Sequence, residues 1–233
     1  MIEKRFYFSG CDLSPGLFTR PAAFARAMQF AAEQDLDAFD LSAMTLRKLG
    51  LAFVLSKISV SLTSPAIKEI RVKTFSREIR AMTFFRDFIF TEPNGTPAGC
   101  AISRWALIHV DSRTLAPPSL LPKSIPSYPE LAVDLDAPRF ARKLPPEALD
   151  LGLSTVYTFQ TDANAHLNNC AYFDLCIEKN GDLPYKQFAI EYLSEVRLHD
   201  SVRLYRTGAP EDCVLYGANE RTGTLSFIAH LAV

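Results

Sequence analysis

Polar side chains with catalytic potential crowd one short stretch of the chain. It holds an acid, an imidazole and three amides, namely Asp162, Asn164, His166, Asn168 and Asn169. In an extended segment Asp162, Asn164 and His166 project to the same side, because side chains alternate along a strand. Asn168 or Asn169 can then cap a following helix, whose N-terminal end carries partial positive charge. Such a group could polarise a carbonyl, and the same residues would also suit an Asn-rich turn that only caps a helix.

The composition is that of a globular protein. The 233 residues are 48% hydrophobic and carry a formal net charge of -1. This length allows one large domain or two small ones, and the near-neutral charge argues against nucleic acid as a partner. No apolar run approaches the roughly 18 residues of a membrane span. The first eight residues are typical of a strand and not of a signal peptide, so we expect a cytoplasmic protein.

The five cysteines are scattered and odd in number: Cys11, Cys100, Cys170, Cys176 and Cys213. No C-x-x-C pair occurs, so the sequence indicates neither a zinc site nor a disulfide framework. We expect reduced, buried thiols, and we predict no metal and no cofactor.

The pattern of one helix followed by several antiparallel strands occurs twice. In the first half we predict a helix from Pro21 to about Phe39 and strands at 51–62, 69–75, 81–91 and 99–110. In the second half we predict a strand at 154–158, a helix at 169–179, and strands at 188–198, 202–207, 214–219 and 225–233. Prolines cluster between the halves, which predicts a linker that crosses the surface.

The repetition predicts an α+β fold of two tandem hotdog modules, each a long helix wrapped by a curved antiparallel sheet. The N-terminal module spans 1–115, the linker 116–146 and the C-terminal module 147–233. Alignment by eye lays Asp12–Leu17 over Asp162–Leu167, with Ser14 and Gly16 replacing Asn164 and His166, and sets Val60 opposite Glu195. We therefore expect a degenerate, substrate-binding first module and a catalytic motif in the second.

Two spaced motifs resemble those of the acyl-acyl carrier protein (acyl-ACP) thioesterases, the double-hotdog enzymes of fatty-acid synthesis. The first is Asp162-x-Asn164-x-His166-x-Asn168-Asn169-x-x-Tyr172, and the second runs from Ile190 to Ser201. Gly50–Ser56, Arg86-Asp87-Phe88 and Ser103–Ala106 are similar to the family's first module. Phe53 stands where the family usually has tryptophan. Val196 stands where plant members often carry a cysteine, which rules out a Cys-His-Asn nucleophile scheme at that position.

The resemblance implies a bacterial-type member that hydrolyses fatty acyl-ACP and releases free fatty acid, with the acyl-loaded carrier protein as its partner. It also implies catalytic roles for Asp162, Asn164, His166 and Glu195. From the chemistry of thioester hydrolysis we assign Glu195 and Asp162 to water activation and Asn164 and His166 to positioning, and which carboxylate is the base stays open. Backbone amides of the following helix would polarise the carbonyl.

The sequence leaves the function and the oligomeric state open. An acyl-CoA thioesterase and a catalytically silent acyl-binding protein are the alternative functions, and both a monomer and a homodimer fit the sequence. Phe24, Met28 and Phe53, with Asn168 and Asn169, are predicted to bind substrate. From Arg47 to Arg80 eight Lys/Arg face two Asp/Glu, which indicates either a docking face for the acidic carrier or solvated strands.

Overall fold

The computed structural model describes residues 1–233, and their secondary structure is a single ten-stranded antiparallel sheet with three α-helices. The first half contains β1 (Ile2–Tyr7), α1 (Pro21–Asp37), α2 (Ala43–Lys48), β2 (Leu51–Leu62), β3 (Glu69–Arg80), β4 (Thr83–Thr91) and β5 (Pro97–His109). The second half contains β6 (Leu149–Thr155), α3 (Ala171–Asn180), β7 (Gln187–Tyr192), β8 (Ser201–Ala209), β9 (Asp212–Asn219) and β10 (Thr224–Ala232). Single 3-10 turns lie at Gly10–Asp12, Pro118–Leu120, Pro129–Leu131 and Thr158–Gln160.

The order of strands repeats across the sheet. It reads β1-β3-β4-β5-β2 in the first half and, from the other edge, β6-β8-β9-β10-β7 in the second. The two halves join where β2 pairs with β7, with Ser59 opposite Ala189. Joining edge to edge removes two exposed strand edges. The predicted α+β fold of two tandem hotdog modules is confirmed.

The helices α1 and α3 lie on one face of the sheet and share a hydrophobic core with it. Pro21 occupies the first turn of α1, and Phe24, Met28 and Ala31 are fully buried, as the sequence pattern predicts. The helix α3 spans Ala171–Asn180, close to the predicted 169–179, and ends before Gly181, whose φ is 111°. It is shorter than α1, so only the first module has the long helix of the fold prediction. None of the helices has both the length and the apolar character needed to cross a membrane.

The proline-rich linker is held against the sheet by polar contacts. The amide of Val133 donates to Asp87 on β4 at 3.0 Å. Further along, Glu191 on β7 accepts from Lys57 on β2 at 3.2 Å and from Arg142 of the linker at 2.8 Å. Burial lowers the pKa of Lys57, and its hydrogen bond to Glu191 acts in the opposite direction. The linker therefore fastens across the β2–β7 junction that joins the modules.

Several predicted strand boundaries are wrong. β3 continues to Arg80 and does not end at Phe75, and β6 spans Leu149–Thr155 instead of the predicted 154–158. Two further errors fall where the backbone turns. Ala81 has φ 54°, so β4 begins at Thr83 and not at Ala81. The predicted strand at 188–198 ends as β7 at Tyr192. Beyond it the chain leaves the sheet, and His199 has φ 68°. Alternation of residue types does not mark such turns, because the polar residues in them continue the pattern of the strand.

Candidate active site

Residues 161–167, here called the His166 loop, form a tight turn closed by Asp162. The amide of Asp162 donates to the carbonyl of His166 at 2.8 Å. Its Oδ1 accepts the amides of Asn164 at 2.8 Å and His166 at 3.2 Å. Ala165 lies between them with φ 58°. The predicted extended conformation is therefore wrong, and Asp162 holds the loop by satisfying its inward-facing amides.

Residues 193–199, here called the Glu195 loop, bring Glu195 to His166. The amide of Leu167 donates to the carbonyl of Val196 at 2.8 Å, and that of Leu198 donates to Ala165 at 3.0 Å. This pairing sets His166 Nε2 3.2 Å from Glu195 Oε2. Glu195 was predicted to lie on a strand but lies in a loop, where the backbone pairing delivers it to the imidazole.

Asp200 anchors the base of the Glu195 loop. Its carboxylate accepts both Nε and Nη2 of Arg221, at 2.6 and 2.9 Å, the side-chain amide of Asn219 at 2.7 Å, and the backbone amide of Arg197 at 2.9 Å. The Arg221 guanidinium, supported by these other donors, holds the pKa of the Asp200 carboxyl well below its usual range. Four donors on one carboxylate fix the loop that carries Glu195.

Replacing Asp200 with Asn should lower the free energy of unfolding at pH 7 by about 2 kcal/mol, because an amide cannot accept from all four donors. The pKa of Asp200 is lowered in the folded state, so its contribution is complete above the unfolded value of about 3.9 and falls away as the pH drops below it. Denaturant titrations of wild type and D200N should therefore converge below about pH 4. A constant difference from pH 7 to pH 3 would contradict the assignment.

Three arginines surround the polar cluster, and none of them is among the site residues predicted from the sequence. Arg47 of α2 donates to Asn164 at 3.4 Å. Arg113, in the turn after β5, donates to Glu195 Oε1, and Arg197 lies 3.9 Å from Oε2. Arg47 and Arg113 come from the first module, so only the tertiary structure brings them to this place.

The basic stretch from Arg47 to Arg80 does not form a single face. Arg47 lies at the site, Lys57 is buried under the linker with Glu191, and Arg80 pairs with Glu78 at the far end of β3. A strand points successive side chains to opposite faces, so charges spread over a helix and two strands diverge in space. The cations that contact the site are Arg47, Arg113 and Arg197.

The start of α3 offers free amides beside the His166 loop. Asn168 Oδ1 accepts the amide of Cys170 at 2.9 Å, and its carbonyl accepts that of Ala171 at 2.8 Å. The amides of Asn169 and Tyr172 have no partner within the chain. Unsatisfied amides at a helix N-terminus, together with the helix dipole, favour a negatively charged oxygen.

An apolar pocket opens against this helix start and extends into the first module. It is narrow, with a cavity volume of about 10 Å³, which leaves room for little more than one water molecule. It is lined by α1, the sheet and the beginning of α3 (Ala25, Met28, Gln29, Leu55, Ile58, Phe88, Ser103, Trp105, Asn169 and Cys170). Met28 and Asn169, two of the predicted substrate-binding residues, therefore line it.

Three other predicted substrate-binding residues lie elsewhere. Phe24 is buried in the core against Phe188, with ring centroids 6.2 Å apart. Phe53 packs edge-on against Phe84 at 4.9 Å, in a separate small cluster. Asn168 uses its side chain to shape the turn before α3. Trp105 lines the pocket and also packs against the cluster around Phe53. It is not among the substrate-binding residues predicted from the sequence.

Cys170 lies at the pocket but lacks the properties of a nucleophile. It is 3% exposed, and its thiol donates to Gln29 Oε1 at 3.6 Å. Burial raises the pKa of the thiol to about 12, so the reactive thiolate is scarce at neutral pH.

We therefore expect Cys170→Ala to keep kcat for thioester cleavage within about threefold of wild type, because no thiolate takes part. Steady-state hydrolysis measured next to a thermal melt separates chemistry from stability. A loss of two orders of magnitude in a folded variant would contradict the water-attack mechanism.

The first module repeats the His166 loop with different side chains. The amide of Ser14 donates to the carbonyl of Phe18 at 2.8 Å, as Asp162 donates to His166. Ser14 Oγ also accepts the amide of Phe18 at 3.3 Å, in the role of the Asp162 carboxylate. Phe18 thus stands where the second module has His166. The predicted alignment, which set Gly16 opposite His166, is wrong by two residues.

The counterpart of Glu195 shifts as well. The amide of Thr19 donates to the carbonyl of Pro65 at 2.8 Å, which repeats the bond from Leu167 to Val196. The residue before Pro65 is Ser64, so Ser64 and not Val60 corresponds to Glu195. With phenylalanine and serine at these places, the first module has no imidazole–carboxylate pair.

Solved structures of known proteins share this architecture over nearly the whole chain. An acyl-ACP thioesterase from Bacteroides thetaiotaomicron superposes with a TM-score of 0.86 at 16% identity, covering 99% of this chain and 96% of that one. A 12:0-ACP thioesterase from Umbellularia californica gives 0.76 at 16% identity, covering 99% and 96%. No protein-family model matches the chain, and no curated protein sequence matches it.

The fold and its repeat define a double-hotdog protein. More narrowly, the chain has the fold of the acyl-ACP thioesterases. Identity this low establishes the architecture, so the function has to be argued from the site.

Proposed function

We propose that this protein hydrolyses the thioester of fatty acyl-ACP and releases free fatty acid. The oxygen of a water molecule attacks the carbonyl carbon, the carbon–sulfur bond breaks, and the proton taken from water ends on the departing carrier thiolate. A thiolate leaves readily, so the reaction needs a base, a stabilised oxyanion and a slot for the chain more than it needs a strong acid.

The observation that carries this proposal is the pair of His166 and Glu195 beside a helix start and an apolar pocket. Glu195 is the base that takes the water proton, and His166, 3.2 Å away, orients the carboxylate and the water. Asp162 has its Oδ1 committed to two backbone amides of the loop, which favours Glu195 over Asp162 as the base. Asp162 then acts by positioning His166, and Asn164 lines the entrance with Arg47.

The amides of Asn169 and Tyr172 serve as donors to the developing oxyanion. Both are unpaired within the chain, and they lie at the positive end of α3. Preorganised amides stabilise charge that appears only in the transition state, because they need no reorientation when it forms. The Asn168 side chain supports this arrangement by fixing the turn before the helix.

The first module binds the acyl chain. Ala25, Met28, Leu55 and Ile58 line the narrow pocket from α1 and β2. The acyl chain would run between helix and sheet, away from the reacting carbonyl, after these walls move apart to admit it. Apolar walls favour hydrocarbon by about 0.8 kcal/mol for each buried methylene. The first module, which lacks the imidazole–carboxylate pair, would thus bind substrate, and the second module would carry out catalysis.

The carrier is the acyl carrier protein. Arg47, Arg113 and Arg197 are exposed at the site and form a cationic rim. A rim of one sign attracts a strongly acidic protein and speeds its encounter with the site. Coenzyme A is also anionic, so the choice between the two carriers is decided by kinetics.

Hydrolysis of matched acyl-ACP and acyl-CoA substrates, over a series of chain lengths, tests the proposal. We expect a higher kcat/KM for acyl-ACP that declines with added salt. A preference for acyl-CoA would indicate an acyl-CoA thioesterase. Binding of acyl-ACP without turnover would indicate a silent acyl-binding protein and would overturn the proposed activity.

A further inference from the structure

We propose that Arg113 guards Glu195, holding its carboxylate until an acidic carrier protein docks and draws the guanidinium away. This inference rests on the proposed function, because it assigns regulation to the same site. It goes further by coupling the attack of water to the arrival of the carrier.

The carboxylate of Glu195 is engaged on both oxygens. Arg113 donates to Oε1, while His166 lies 3.2 Å and Arg197 3.9 Å from Oε2. The contact with His166 suits a base that is being oriented. A guanidinium on the other oxygen competes for lone pairs that would accept the water proton. Glu195 can therefore act fully as a base only after the Arg113 guanidinium has moved away from its carboxylate.

Arg113 is free to leave because this ion pair is its only side-chain contact with a partner group. It extends from the exposed turn after β5, and its side chain is 54% exposed, against 40% for Glu195. Pairs this exposed are weak and are screened by salt. A partner with several negative charges can therefore outcompete a single carboxylate.

Arg113 also stands where a docked carrier would meet it. Arg47 reaches Asn164 from α2, and Arg197 follows Glu195 in the second module. These cations come from both modules and converge on the His166 and Glu195 loops. An acidic surface that covers this rim draws Arg113 outward by the same attraction that docks it.

The test uses the full-length protein and a neutral substrate, the N-acetylcysteamine thioester of a fatty acid, which has no phosphate and no carrier. Apo carrier protein, which lacks the phosphopantetheine arm, is then added so that it docks without filling the pocket. Wild type, Arg113→Gln, Arg113→Lys and the remote control Arg71→Gln are compared, since Arg71 is an exposed arginine on β3.

We expect apo carrier protein to raise wild-type turnover of the neutral thioester about three- to fivefold. A change of this size corresponds to the strength of an exposed ion pair. R113Q should show that higher turnover without the carrier and gain nothing from it. R113Q should also lose about tenfold in kcat/KM for acyl-ACP, since a docking charge is missing. R113K should restore part of the response, and R71Q should match wild type.

Two results would overturn the guard role. One is equal loss of both activities in R113Q, which would make Arg113 a structural or catalytic residue. The other is wild-type turnover of the neutral thioester that apo carrier protein leaves unchanged. If the wild type hydrolyses neither substrate, the proposed function itself fails, and this outcome is visible before any variant is compared.

Discussion

Replacing Glu195 with Gln should lower kcat for acyl-ACP hydrolysis about 10²- to 10⁴-fold, the usual contribution of a positioned base. Gln keeps the shape of the side chain and one oxygen that can accept from Arg113, but it cannot take a proton from water. The side chain is 40% exposed, so the melting temperature should change little. Single-turnover hydrolysis of acyl-ACP measures the chemical step directly.

Glu220 supplies the matched control for Glu195. Its side chain is 47% exposed and pairs with Arg203 at 2.9 Å, and it has no hydrogen bond or ion pair with the His166 or Glu195 loop. Glu220→Gln should therefore retain normal turnover. His166→Ala should lower kcat strongly while stability changes by much less. Near-normal activity of a folded E195Q variant would contradict the role of the carboxylate.

Replacing Ala25 with Phe should shorten the range of acyl chains that the protein accepts. Ala25 is fully buried on α1 and lines the pocket, so a phenyl ring there occupies space meant for the distal part of the chain. Each excluded methylene forfeits about 0.8 kcal/mol, so a chain that loses about four buried methylenes should drop roughly 200-fold in kcat/KM. Shorter chains should be affected much less.

The chain-length series needs a control for overpacking, which itself costs about 1–3 kcal/mol of stability. Ala27 is equally small and buried on the same helix but does not line the pocket, so Ala27→Phe should lower stability without changing the length preference. Met28→Ala should act in the opposite direction and extend the range. Equal loss at every chain length in A25F would exclude this pocket as the acyl slot.

The repeated architecture could be predicted from local sequence. A proline that begins α1, buried residues spaced along one helix face, and two runs of alternating strands predicted two hotdog modules. These signals are local, because helix and strand periods are written in neighbouring residues. Turns were located less well, since Ala81 and His199 adopt positive φ without a glycine to announce it.

Alignment of the two halves showed a different kind of error. Matching Asp12 to Asp162 relied on identical residue types, whereas the backbone hydrogen bonds match Ser14 to Asp162 and Phe18 to His166. The two loops keep the same geometry because their acceptors bind equivalent amides. Ser14 Oγ accepts the amide of Phe18, and the Asp162 carboxylate accepts that of His166. Aligning the two halves by identical residue types therefore produced a register that the backbone hydrogen bonds exclude.

The sequence by itself determined the composition of the site and the fold that carries it. It placed Asp162, Asn164, His166 and Glu195 in two motifs, in an order that the double-hotdog sheet can bring together. Tertiary structure alone decided which atoms meet: His166 Nε2 lies 3.2 Å from Glu195 Oε2, and Asn169 and Cys170 of the second module help to line the pocket. It also decided that Arg47 and Arg113 reach across to the second module. The reason is physical: an ion pair between residues 82 positions apart depends on how the sheet joins the modules, and no local pattern encodes that distance.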